Sequence, residues 1–317
     1  MSEAPAVAVD GLVMRYGEKT AVDDLSLTVE RGSITAVLGP NGAGKTTTLE
    51  TCEGYRAPQS GTVRVLGLDP VRQRRDLLPR IGVMLQAGGA WSGVRATEML
   101  RYVARLHAHP HDPDTLAERM GLEDCGRTPY RRLSGGQQQR LKLALAVVGR
   151  PEIVFVDEPT AGMDPQARRN TWELLAELRG AGVTVVLTTH YMDEAERLAD
   201  RIHIIDHGRL IASGSPLELT RGSNAAGEEH VATIRLVVTR PFPAGAPQSL
   251  RAALGTRVEV TQLDDVSLLV SGPADASTLA RVSRWCEEQG VLPESLSLGQ
   301  RNLEDVFLQL TGRELAP

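Results

Sequence analysis

The sequence predicts an α/β fold built on a parallel sheet, followed by a small α+β domain. Three observations carry that prediction. Two short apolar runs rich in β-branched residues, 153–156 and 183–187, flank a segment of helical spacing at 172–178, which makes a parallel crossover unit. A glycine-rich loop at 39–46 joins an apolar strand to a Thr-rich segment able to open a helix. A polar stretch at 222–229, GSNAAGEE, separates these elements from a second group of strands and helices.

Taken in order, residues 6–16, 25–29 and 34–38 read as strands, with another at 62–65 after the Ser60-Gly61 turn and one at 81–85. From about 96 to 149 the spacing turns helical, with Met99, Leu100, Val103 and Leu106 on one face and a later run at 137–148. Beyond the linker, 231–238 and 258–270 read as strands separated by a Pro/Gly-rich loop, and a helix is expected near 278–289. In the closing helix, 303–310, Leu303, Val306, Phe307 and Leu310 share a face, Asn302 is a candidate cap and Gly312 follows. No internal repeat or heptad array is visible.

Composition narrows the function classes. A length of 317 residues fits about two domains. Aromatic residues make up only 3%, which argues against binding single-stranded nucleic acid by base stacking. The net charge of −5 supplies no global attraction to nucleic acid or anionic lipid, so an anion site has to be local. The longest apolar stretches, such as 143–148, fall far short of the ~20 residues of a membrane span. No secretory signal is expected, because Glu3 and Asp10 stand where a basic and then an apolar region would lie. Cys52, Cys125 and Cys286 are widely spaced without a CxxC pair, which fits a reducing compartment and offers neither disulfides nor a zinc site.

The chemistry concentrates in three segments. Gly39-Pro40-Asn41-Gly42-Ala43-Gly44-Lys45-Thr46 matches G-x-x-x-x-G-K-[ST], a pattern expected by chance in roughly one chain in a hundred of this length. Its glycines let backbone N–H groups turn inward around an anion, and the helix opened by Thr47 adds its dipole. Lys45 can neutralise phosphate charge and Thr46 can ligate Mg²⁺. The strand at 153–156 ends in Asp157, suited to Mg²⁺, and Glu158, suited to orienting and deprotonating a water; alone, such an acid pair equally well caps a helix. Leu133-Ser134-Gly135-Gly136-Gln137 precedes a helical run, so the Ser134 hydroxyl and the glycine N–H groups form a second anion site.

Together these segments resemble the nucleotide-binding subunit of an ATP-binding cassette (ABC) transporter, over residues 5–220 and with the motifs in family order. The resemblance implies a P-loop NTPase fold: a RecA-like core with an antiparallel β subdomain and an α-helical subdomain at about 90–150, together spanning 1–221. A linker at 222–230 and a C-terminal accessory or dimerisation domain at 231–317 complete the expected layout. It further implies that Tyr16 stacks on adenine, that Gln86 touches Mg²⁺ and the attacking water, that Asp164 communicates between sites, and that His190 contacts the γ-phosphate. Each of Tyr16, Gln86 and His190 also has a plain structural reading when taken alone. Ala161 and Met163 stand where Ser and Leu are commoner in the family.

The implied cofactors are ATP and Mg²⁺. The implied partners are a second copy of the chain, whose Ser134 and Gly136 complete the first copy's site, and an integral membrane permease; no nucleic acid is expected. The tail Asn302-Leu-Glu-Asp-Val-Phe resembles the ATPases of daunorubicin-resistance-type ABC-2 exporters, which implies a peripheral ATPase on the cytoplasmic face of the membrane. An importer ATPase, or a soluble ABC ATPase acting on nucleic acid or ribosomes, is the alternative. Two further features read as structural, the His107, His109, His111 cluster as a solvated loop and Asp193, Glu194 and Glu196 as a solvent-facing helix surface; Trp91 is divided between packing and a membrane partner.

Overall fold

The structure, a computed structural model of the chain, describes residues 4–84, 91–221, 232–256, 258–272 and 274–311. Two compact units divide these, one ending at Ser213 and the other starting at Gly214.

In the first unit, β1 (Val7–Tyr16) and β2 (Lys19–Val29) form a hairpin in which Tyr16 pairs with Lys19. The next elements are β3 (Ile34–Leu38), α1 (Lys45–Cys52), β4 (Ser60–Val65), the single turn α2 (Arg74–Leu77) and β5 (Ile81–Met84). A helical stretch comprises α3 (Ala96–Ala104), α4 (Pro113–Arg119) and α5 (Gly135–Val147). The chain then alternates β6 (Ile153–Asp157), α6 (Pro165–Gly180), β7 (Thr184–Thr188), α7 (Met192–Leu198), β8 (Arg201–Asp206) and β9 (Arg209–Gly214).

Two sheets result: a three-stranded antiparallel one, β2-β1-β4, and a six-stranded one, β5-β6-β7-β3-β8-β9, parallel from β5 through β8. The strands β3 and β7 are buried along their whole length, as expected for parallel strands covered on both faces. Val9, Leu12, Leu25 and Leu27 of the small sheet pack with Leu49, Phe155 and Val186 in one core. The parallel arrangement has a direct consequence for chemistry. The carboxyl ends of β3, β7 and β6 lie side by side, so whatever follows each strand converges on one edge.

The second unit contains α8 (Pro216–Arg221), β10 (Ala232–Val238), α9 (Ala246–Leu254), β11 (Glu259–Gln262), β12 (Ser267–Gly272), α10 (Ala276–Gln289), β13 (Pro293–Gln300) and α11 (Leu303–Thr311). Its sheet, β11-β12-β10-β13, is antiparallel throughout, the order of a ferredoxin-like βαββαβ unit. Ile234, Leu236, Leu268 and Val270 pack under α9 and α10, through Leu250, Leu254, Val282 and Trp285. The opposite side-chain parity of β10 holds Thr233, whose hydroxyl donates to the buried Asp305 of α11 at 2.9 Å.

Several expectations change. Residues 258–270 are two strands with a turn at Asp264-Asp265, whose side chain and backbone accept hydrogen bonds that reverse the chain. The Pro/Gly-rich loop contains α9: Gly245, at φ 80, caps it, and Pro247 sits in its first turn, where a missing N–H is harmless. Leu106 is 68% exposed and Leu310 43% exposed, and Leu308 takes the buried position in α11. Asn302 does cap that helix, its Oδ1 accepting from the Asp305 N–H at 2.8 Å. The 222–229 stretch and Gly312 lie outside the described residues.

Candidate nucleotide site

The loop 39–44 leaves the buried end of β3 and enters α1 through Gly44, which is left-handed at φ 104. Lys45, 7% exposed, folds its ammonium back into this loop and donates to the carbonyls of Gly39 at 2.5 Å and Pro40 at 3.2 Å. Burial lowers its pKa, against the opposing pull of Glu158 and Asp157. An open cleft of about 250 Å³ is lined here by Tyr16, Lys19, Asn41, Lys45, Thr46 and Glu158, with Gly42, Gly44, Thr47 and Asp157 also on its wall. Gly39, Pro40 and Ala43 are buried behind it. Tyr16, 41% exposed at the end of β1, has the Arg56 guanidinium over its ring at 5.1 Å.

Across the cleft, β6 ends at Asp157, and its register partner Thr188 on β7 donates its hydroxyl to the Asp157 carboxylate. Burial raises the Asp157 pKa, while the Thr188 hydrogen bond opposes it. Glu158 sits at φ 48, a left-handed backbone that costs a non-glycine residue ~1–2 kcal/mol. It is fixed there by its N–H, which donates to the Thr188 carbonyl at 3.1 Å. His190, just past β7, places Nδ1 3.3 Å from Glu158 Oε1, with both side chains 17% exposed. Glu158 and His190, predicted separately from the sequence, thus meet. Gln86 lies outside the described residues.

The second glycine segment stands elsewhere. Ser134 caps α5 in a reciprocal box with Gln137: the Gln137 N–H donates to Ser134 Oγ at 3.2 Å, and the Ser134 N–H to Gln137 Oε1 at 2.9 Å. Ser134 and Gly135 are exposed and Gly136 half-buried, and none of residues 134–137 lines the cleft. Asp164 is exposed and caps α6, accepting from the N–H groups of Gln166 and Ala167 at 2.9 Å, bonds that lower its pKa.

One sequence reading is corrected. Asp193 and Glu196 are exposed, but Glu194 is fully buried: its Oε1 accepts from Thr160 Oγ1 at 3.0 Å and Trp172 Nε1 at 2.8 Å. His107 is half-buried and lies against Gly149, where an added Cβ would meet the imidazole. Trp91, 53% exposed, meets Tyr102 edge to face at 5.0 Å. Sequence reasoning also passed over Glu53, a buried acid at the end of α1 with a pKa of about 7, raised by burial and then by Asp157 and Glu50.

A strand, a glycine loop and a buried lysine opening a helix, facing an acid pair at the end of a nearby parallel strand, define a P-loop nucleotide-hydrolysing enzyme. Residues 22–161 match the ABC transporter family. The daunorubicin resistance ATP-binding protein DrrA3 of Streptomyces coeruleorubidus is 38% identical, across 97% of this chain and 96% of its own length. The Nod factor export ATP-binding protein I of Ralstonia nicotianae is also 38% identical, across 99% and 96%. Among solved structures, the ATP-binding subunit of an ABC transporter superposes with a TM-score of 0.63 at 25% identity, covering 68% of this chain and 92% of that one. A dimeric ATP-binding cassette with ADP and phosphate shares the fold, with a TM-score of 0.60 at 23% identity over 66% of this chain and 98% of its own. The chain belongs to the ABC transporter ATP-binding proteins; it binds and hydrolyses ATP.

Proposed function

We propose that two copies of this chain close around two ATP–Mg²⁺ and drive a separate ABC-2-type membrane permease, which exports a drug, antibiotic or other hydrophobic compound. The observation that carries the export reading is the match, over nearly the whole chain and including the second unit, to relatives named for drug resistance and export. Among the described residues no helix is long and apolar enough to cross a membrane, and the chain is assigned to the cytoplasmic face of the permease as a peripheral subunit.

Each residue then has a task. Lys45 and the loop N–H groups of residues 39–46 hold the phosphates, and Tyr16 offers its exposed ring to the base. Thr46 and Asp157 present the hard oxygen donors that Mg²⁺ prefers, with Gln86 as a third, and the ion supplies charge neutralisation at the phosphates. Glu158 takes a proton from the water whose oxygen attacks the γ-phosphorus as the bond to the bridging oxygen breaks. His190, held beside Glu158, faces the same phosphate. Ser134, Gly135 and Gly136 of one copy complete the other's site, and Asp164 lies between the two.

Glu158→Gln tests the base assignment: nucleotide binding is retained, turnover stalls and a closed dimer accumulates. Normal turnover would remove Glu158 from that role. Isolating the tagged chain from membranes tests the transport reading, which predicts a co-purifying protein of several spans; recovery of ribosomes or nucleic acid in its place would overturn it.

A further inference from the structure

Glu194 is a buried acid that neither the phosphate loop nor the acid pair accounts for. It lies on α7 with no exposed surface, and the two donors to its Oε1, Thr160 and Trp172, come from 34 and 22 residues away. Thr160, itself fully buried, stands two residues beyond Glu158 in the loop that leads to Asp164. Trp172 projects from α6, the helix that Asp164 caps. Glu194 belongs to the helix that starts directly after His190 and Tyr191.

One carboxyl oxygen therefore joins the segment behind Glu158 to the segment behind His190. Other contacts between these segments include the Glu158 N–H on Thr188, the Arg168 guanidinium 4.1 Å from the Tyr191 ring centroid, and the Glu158–His190 contact itself. The Thr189 hydroxyl, next to His190, also acts on this carboxylate, yet burial still raises its pKa. A buried acid is an expensive way to fill space, and an apolar side chain of similar size would pack there without that desolvation penalty. The identity of the two donors to Oε1 supplies a reason beyond packing.

We propose that Glu194 is a positioning residue for ATP hydrolysis, tying Thr160 and Trp172 to α7 so that Glu158 and His190 keep their mutual geometry. This rests on the assignment of Glu158 as base and His190 as its neighbour at the γ-phosphate. Misplacing reacting groups by about an ångström lowers rates by orders of magnitude while leaving binding groups in place, so the signature is a split between kcat and KM.

The experiment measures steady-state Mg-ATP turnover by the full chain for Glu194→Leu, Glu194→Gln, Thr160→Val and Glu158→Gln. Glu194→Leu is expected to lower kcat on the order of tenfold to a hundredfold, with KM for ATP changed less than about threefold. Glu194→Gln keeps an oxygen able to accept from both donors and is expected to stay within about threefold of wild type. Thr160→Val, which removes one donor at constant shape, falls between them and adds little on top of Glu194→Leu. A folded Glu194→Leu with wild-type kcat would overturn the proposal, as would a loss seen only in KM. If Glu194→Leu does not fold, Thr160→Val decides in the same way. Wild-type turnover by Glu158→Gln would sink the base assignment on its own, whereas an inactive Glu158→Gln beside a normal Glu194→Leu would sink only the positioning role.

Discussion

Three glycines of the phosphate loop are required for three different reasons, and alanine scanning separates them. At Gly39 the backbone is ordinary, but a Cβ would overlap the carbonyl oxygen of Ile205 on β8. Gly42 has φ +82, with open space where a Cβ would stand. Gly44 combines both, with φ +104 and a Cβ that would lie 2.5 Å from the Ala21 carbonyl oxygen. Left-handed backbone costs alanine ~1–2 kcal/mol, partly offset by ~0.4–1 kcal/mol from a stiffer unfolded chain, so Gly42→Ala is expected to lose about 1 kcal/mol. Overlap with main chain that cannot swing away costs ~1–3 kcal/mol, the expectation for Gly39→Ala. Gly44→Ala adds the two, about 2–4 kcal/mol. At ~2–4 °C per kcal/mol for a unit of this size, the Tm falls by a few degrees for Gly42→Ala and by on the order of 10 °C for Gly44→Ala. The assay is thermal unfolding of the transition that ATP raises; in Gly44→Ala the ATP-dependent rise should also vanish. A Gly42→Ala as damaging as Gly44→Ala, or a neutral Gly39→Ala, would refute this steric account.

Two buried titrating groups and one packing residue give further expectations. Glu53 has a folded pKa of about 7 against an ordinary 4.5, so its contribution to stability is full below 4.5 and lost as pH rises through 7. Relative to wild type, Glu53→Gln should gain up to about 3 kcal/mol between pH 5 and pH 8 in urea denaturation; a gain independent of pH would contradict the assignment. His203 on β8, 2% exposed, has its pKa lowered by burial, with Nε2 within 2.9 Å of the Thr28 carbonyl and Nδ1 unpartnered among the described residues. The unfolded chain then binds a proton below the ordinary 6.5 that the folded chain refuses, so stability falls with acid by up to about 1.4 kcal/mol per pH unit. His203→Gln should flatten that slope. Phe307, fully buried in α11, should cost the second unit about 3–5 kcal/mol when replaced by alanine, read as faster limited proteolysis of that unit.

Legibility in the sequence followed the range of the interactions. The loop 39–46 and the acid pair Asp157-Glu158 are local patterns whose meaning depends on a neighbouring strand, and β3 and β6 are apolar runs short enough to read as strands. The meeting of Glu158 with His190 followed from a parallel crossover that periodicity reveals. Glu194 was misread because the sequence Met-Asp-Glu-Ala-Glu-Arg is polar on its surface, while the groups that bury it stand 22 and 34 residues away. The helix α9 was hidden by punctuation: Gly245 and Pro247 suggest a loop, yet a left-handed glycine and an early proline also start helices. The edge strand β13, with Pro293, Ser295, Ser297 and Gly299 at alternate positions, has too little apolar periodicity to be seen without its partner β10.

Comparison of the two glycine-rich helix entrances bears on the proposed dimer. The glycines before α1 are imposed by their own chain, through positive φ or backbone overlap. Those at the start of α5 are not: a Cβ on Gly135 would come no closer than 3.7 Å to the Gly162 carbonyl oxygen, and one on Gly136 no closer than 3.9 Å to Ala167 and Met163. Both stand in the first turn of a helix, where glycine is less favourable than alanine by ~0.5–1 kcal/mol. Folding alone would therefore favour alanine at both positions. A methyl at either would instead obstruct an anion approaching the N–H groups of the helix end from outside, the approach that a second copy's nucleotide makes on the proposed reading. Gly136→Ala should accordingly keep or slightly raise the Tm while lowering ATP turnover and ATP-dependent dimerisation together. A Gly136→Ala that loses stability, or that keeps full turnover, would show that the glycine serves its own chain and would remove this support for a shared site.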